Sequence, residues 1–98
     1  MTKINAKRIL STVRPEKSFW INNGPIISNL KHLPKVVQGM NDEQFRYHVN
    51  KDKNDFSNWI KEVIGDKALA DELKKTRTKD SFLKKLNKRI MSLKKMAS

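Results

Sequence analysis

Tyr47-His48-Val49-Asn50-Lys51-Asp52-Lys53-Asn54-Asp55-Phe56-Ser57-Asn58-Trp59-Ile60 is the stretch around which the chain is organised. A polar run leads directly into a helix whose aromatic face must be buried. Asp52 and Asn54 can each accept a hydrogen bond from the free amides of a helix start, and Asp55 suits the positive end of the helix dipole. Phe56, Trp59, Ile60, Val63 and Ile64 then fall on one helical stripe. Gly65-Asp66 stops this helix and caps the next, which buries Leu69, Ala70 and Leu73.

Working back towards the N-terminus, Asn41 opens a short helix with a box-like Asn-x-x-Gln to Gln44, and Met40 and Phe45 sit where a hydrophobic staple would. It reaches about His48. Before it, Ser28 can cap a helix carrying Leu30, Leu33, Val36 and Val37. Pro34 is awkward inside that helix, so a kink or a start near Leu33 is expected. Ser18 to Ile27 is the one strand-like segment, with Phe19-Trp20-Ile21 and Ile26-Ile27 flanking the turn chemistry of Asn22-Asn23-Gly24-Pro25. An isolated two-stranded ribbon is marginal in water, so the apolar side of this hairpin must pack on helices.

Forward of the central helix, a last helix over about 79–95 starts at Thr78 or Lys79. Phe82, Leu83, Leu86, Ile90 and Leu93 share an arc of about 100°. Lys84, Lys88 and Lys95 cluster on the far side, flanked by Lys85 and Lys94. The expected fold is therefore mainly α with a minor β component: four to five short helices and an N-terminal hairpin in one domain, residues 18–98. Residues 1–17 form a basic N-terminal segment. Three readings of it stay open: a flexible tail or loosely docked helix, a nucleic-acid-contacting arm, and an organellar transit peptide.

Composition narrows the function classes. The 98 residues are 37% hydrophobic and 33% charged, which leaves one modest core. There is no cysteine, hence no disulfide framework or thiolate metal site. No apolar run approaches the roughly 20 residues of a membrane span. The net charge is +12, and it is segregated. Residues 1–17 carry +4, residues 18–40 carry +2, residues 41–75 carry −1 and residues 76–98 carry +7. A near-neutral centre between two cationic ends points to a polyanionic partner.

The residues Asn22-Asn23-Gly24-Pro25, Leu30, Leu33, Phe45, Tyr47-His48-Val49-Asn50, Lys53-Asn54-Asp55-Phe56, Trp59-Ile60, Gly65-Asp66 and Leu69-Ala70 resemble a widespread, uncharacterised small domain of archaea and bacteria. The resemblance covers about residues 19–73, and Tyr47 to Trp59 is its most specific part. It implies a shared fold and a microbial origin but no activity. Pro34 departs from the regular helix expected there, and the basic ends lie outside the resemblance.

No catalytic or metal centre is expected, and no cofactor. His48 has the most chemical character, beside Tyr47, Asn50, Asp52 and Asp55, but Ser57 has no nucleophile-elbow motif around it and His32 lies on a separate segment. The simpler reading has His48 and Asn50 fastening the loop. Most aromatics fall at core spacings. Trp20 and Tyr47, each beside a polar loop, are the exceptions.

The favoured function is non-enzymatic, largely sequence-independent nucleic-acid binding, with DNA favoured and RNA left open, in a nucleoid-associated cytoplasmic protein. Lys3, Lys7, Arg8, Arg14, Lys84, Lys85, Lys88, Arg89, Lys94 and Lys95 are the candidate phosphate contacts. Six such contacts on the last helix would give a log–log salt slope near about −5. The alternative is a protein-interaction module whose partner-binding loop is Tyr47, His48 and Asn50, with the basic ends serving only localisation. A homodimer would help so small a core, although no heptad seam marks one.

Overall fold

The computed structural model describes residues 1–98. It contains helices α1 (Lys3–Ile9), α2 (Leu33–Gly39), α3 (Asp42–His48), α4 (Asp55–Trp59), α5 (Lys67–Lys74) and α6 (Lys79–Ala97), with strands β1 (Phe19–Trp20) and β2 (Ile26–Ile27). The class is mainly α, as the periodicity indicates. The helix count exceeds the expected four to five because α1 forms within residues 1–17.

Helix starts follow the side chains that can accept at them. Asn54 accepts from the Ser57 N–H at 3.0 Å, so Asn54 rather than Asp52 caps α4. Asp66 caps α5 through the Leu69 N–H, and Thr78 caps α6 through the Ser81 N–H. At Asn41 both halves of the capping box form, with the Gln44 N–H donating to Asn41 at 2.8 Å and the Asn41 N–H to the Gln44 side chain at 3.3 Å. Pro34 occupies the second position of α2, where its missing N–H costs little, and a 3₁₀ turn, Leu30–His32, precedes it. Ser28 is not a cap. Its hydroxyl instead meets that of Ser18 at 2.7 Å, tying the hairpin's far strand to the chain that enters its first.

The helix begun by α4 continues through a wider π-helical turn, Ile60–Ile64, and ends where Gly65 turns left-handed at φ +88°. The Gly65 N–H closes on the Ile60 carbonyl at 2.7 Å. A side chain at Gly65 would be strained by that backbone and would press on the Arg8 guanidinium, 3.2 Å from its Cβ position. Gly65→Ala is expected to cost about 1–2 kcal/mol and to lower the thermal midpoint by roughly 5–10 °C. An unchanged midpoint in a calorimetric scan would mean that this turn has an alternative right-handed form.

The hairpin pairs antiparallel, Phe19 with Ile27 and Trp20 with Ile26. Alternation then sends Phe19 and Ile27 inward and Trp20 and Ile26 to solvent. Phe19 stacks on Phe56 with ring centroids 4.9 Å apart and meets Trp59 edge-on at 5.8 Å. The Trp59 indole N–H donates to the Lys17 carbonyl at 2.8 Å, fixing the chain that enters the hairpin. The helices therefore supply the support that a two-stranded ribbon lacks alone.

α6 is the spine. Phe82, Leu86, Ile90 and Leu93 are buried, and α1, α2 and α5 pack along it. Residues 1–17, read from the sequence as a basic segment outside the globular domain, carry a docked helix. Ala6, Ile9 and Leu10 are buried, and their burial removes enough apolar surface from water to hold α1 in place. Lys79 joins the start of α6 to the end of α2 by donating to the carbonyls of Gln38 and Met40 at 3.3 and 2.8 Å.

Candidate nucleic-acid interface

Because the apolar arc of α6 faces the core, its opposite side must face solvent. That side carries Lys84, Lys88, Lys94 and Lys95, all exposed and none paired with a carboxylate. Lys84, Lys88 and Lys95 recur at helical spacing and form one stripe with the exposed Met91 among them. The only acid of α6, Asp80, lies in its first turn. Lys3, Lys7 and Arg8 are also exposed and unpaired, on the helix that packs along α6. Arg14 is exposed, 3.9 Å from Glu16.

Two expected members of the ridge are engaged elsewhere. Lys85 donates to Glu72 at 2.9 Å. That bond, with Lys75 adding its charge, holds the exposed Glu72 carboxyl below its ordinary range. Arg89 grips Asp66 through Nε at 2.7 Å and Nη2 at 3.1 Å. The Asp66 side chain is only 1% exposed and that of Arg89 23%, so this is an internal ion pair. The reason is angular: Arg89 lies at the edge of the apolar arc and reaches the cap of α5, whereas Lys88 lies beyond it.

The loop read as partner-binding divides in the same way. His48 is buried at 3% exposure. Its Nε2 faces the Asn22 backbone N–H at 3.0 Å and must accept, so the ring proton sits on Nδ1 and donates to Asp55 at 3.0 Å. Both nitrogens are thereby used in clasping the hairpin turn to the start of α4. Asn50 fastens the loop, donating to the Arg46 carbonyl at 2.9 Å and accepting from the Asp52 N–H at 3.0 Å. Ser57 is buried with its hydroxyl donating to the Ala70 carbonyl at 2.7 Å. No three His, Asp or Glu side chains are grouped to hold a metal. Tyr47 remains 52% exposed and Trp20 71%, the two aromatics singled out beside polar loops, while Phe45, Phe56 and Phe82 are core.

The sequence signature of a family of unknown function, DUF5752, matches residues 14–95, from the entry to the hairpin to the end of α6. The chain belongs to the DUF5752 family. No curated protein matches it, and no solved structure does. The DUF5752 match confirms an uncharacterised small domain and extends beyond residues 19–73 to take in α6 and its lysines. Within the DUF5752 domain lie both the His48–Asp55 clasp and the lysine stripe, while Lys3, Lys7 and Arg8 precede it. No helix is long and apolar enough to cross a membrane.

Proposed function

We propose that this DUF5752 protein is a non-enzymatic nucleic-acid-binding protein that contacts the phosphates of duplex DNA through the solvent face of α6. The observation that carries this reading is the set of four exposed lysines on α6 with no carboxylate partner. A cation already paired inside the protein gives up that pairing to meet a phosphate, whereas a hydrated lysine releases the polymer's counterions at no such cost. Lysine is a point charge without the fork geometry that reads a guanine edge, so contact with the backbone, tolerant of sequence, is the mode that suits this face.

Four contacts correspond to a log–log salt slope near about −4, shallower than six would give because Lys85 and Arg89 are engaged internally. Lys84→Gln/Lys88→Gln/Lys95→Gln is expected to make the slope less negative by about 3, roughly one unit per lysine. Titrations of labelled duplex across a salt series measure this directly. A wild-type slope near zero, or an unaltered slope in the triple variant, would remove α6 as the interface.

A further inference from the structure

Residues 41–75 are close to neutral in sum, yet the fold brings three of their cations together with Arg77 in one place. A polar cleft of about 230 Å³ runs between the Asn50–Asn54 loop and the turn joining α5 to α6. Lys51, Lys53, Lys74 and Arg77 line it against the single carboxylate of Asp52, and no apolar side chain takes part. Its two walls are bolted together. Asn54 donates to the Leu73 carbonyl at 3.1 Å, and Thr76 donates to the same carbonyl at 2.7 Å. Arg77 is positioned by Nη1, which donates to the carbonyls of Lys74 and Thr76 at 3.0 and 3.1 Å and leaves Nε and Nη2 without a partner. Lys51 and Lys74 make no ion pair. This is a preformed cationic seat of a size that suits a phosphate group.

The cleft is not isolated. Lys53 bridges Asp55 at 2.9 Å and stands 4.5 Å over the ring of Tyr47. The buried His48 meets that ring edge-on at 4.9 Å, so the ring is held while half its surface stays in water. Tyr47 also borders a hollow of about 560 Å³ lined by Asn22, Asn41, Gln44 and Arg46 among others. The capping box uses the carbonyl oxygens of Asn41 and Gln44, which leaves their amino groups as free donors. The side chain of Asn22 makes no internal hydrogen bond, and Glu43 is the hollow's only carboxylate.

Cationic cleft, half-exposed aromatic ring and donor-rich hollow thus follow one another across one face. We infer that this face binds single-stranded nucleic acid, with a phosphate in the Lys51–Arg77 cleft, a base stacked on Tyr47 and that base's edge turned to the amides. Duplex bases are stacked against one another and cannot reach such a ring, whereas unpaired bases stack on aromatics with little regard to sequence. The inference rests on the reading of the chain as a nucleic-acid binder but uses a different face from the α6 stripe.

Anisotropy titrations of the full chain with short oligothymidine, oligouridine and a duplex test it. Tyr47→Ala should weaken oligonucleotide binding by about tenfold while leaving duplex binding within about twofold, and Tyr47→Phe should keep both. The variant Lys74→Gln/Arg77→Gln, at two exposed positions, should lower oligonucleotide affinity and flatten its salt slope by about 1.4, at roughly 0.7 per single-strand phosphate contact. The α6 triple variant should do the reverse, losing duplex and sparing oligonucleotide. Absence of oligonucleotide binding at low salt overturns the inference, as does wild-type oligonucleotide affinity in both the Tyr47→Ala and Lys74→Gln/Arg77→Gln proteins. A wild-type chain that binds oligonucleotide but no duplex overturns the α6 reading and leaves this one standing.

Discussion

Phe56→Ala is expected to cost about 3–5 kcal/mol of folding free energy, the largest effect of any single truncation considered in this chain. Phe56 is fully buried and touches three rings from three parts of the fold. It stacks on Phe19 of the hairpin at 4.9 Å, lies 5.2 Å from His48 at the end of α3, and is tilted against Phe82 of α6 at 5.4 Å. Removing the ring therefore opens a cavity where hairpin, α3, α4 and α6 converge, and none can close it without dragging the others. A domain of this size holds roughly 5–15 kcal/mol in all, so the variant should unfold at much lower denaturant concentration or fail to fold at ambient temperature. Phe56→Leu, which refills most of the space, should lose less. A Phe56→Ala midpoint close to wild type in a urea titration would show that the hairpin is not packed on α4 as described.

The second large effect concerns Arg89. Arg89→Met keeps the aliphatic stem but leaves the Asp66 carboxylate, 1% exposed, without its counter-charge. Breaking an internal pair from one side typically costs about 3–5 kcal/mol, and the partial exposure of Arg89 places this case near the lower end, about 3 kcal/mol. The thermal midpoint should drop by on the order of 15 °C. Adding Asp66→Asn, which removes the stranded charge and keeps a capping oxygen for the Leu69 N–H, should restore part of that loss. Duplex affinity measured well below the midpoint should stay near wild type, since Arg89 is not free to meet phosphate. A strong loss of affinity with unchanged stability would return Arg89 to the interface and contradict the pairing with Asp66.

Asn41, Asn54, Asp66 and Thr78 could be read as helix starts because a cap acts on an amide three residues away. Gly65 as a stop, the Asn22–Pro25 turn and the apolar arc of α6 were legible for the same reason: each is a local constraint written into adjacent residues. The burial of Phe56 also followed from periodicity alone. The docking of α1 did not, because the weak stripe of Ala6, Ile9 and Leu10 commits to a helix only when the surface of α6 is there to receive it.

The fate of each charge was decided by tertiary structure. Lys88 and Arg89 are neighbours in one basic run, and a shift of about 100° around the helix sends one to solvent and the other to a carboxylate 23 residues away. Lys85 likewise finds Glu72 at a separation of 13. His48, read from the sequence as fastening its loop, does so through Asn22 and Asp55, at 26 and 7 residues, partners that only the fold supplies. Local chemistry determined where this chain forms its helices and its turn, since those signals act over three or four residues. Which cations stay free for a partner was decided only when the fold brought distant carboxylates to some of them and left the rest in water.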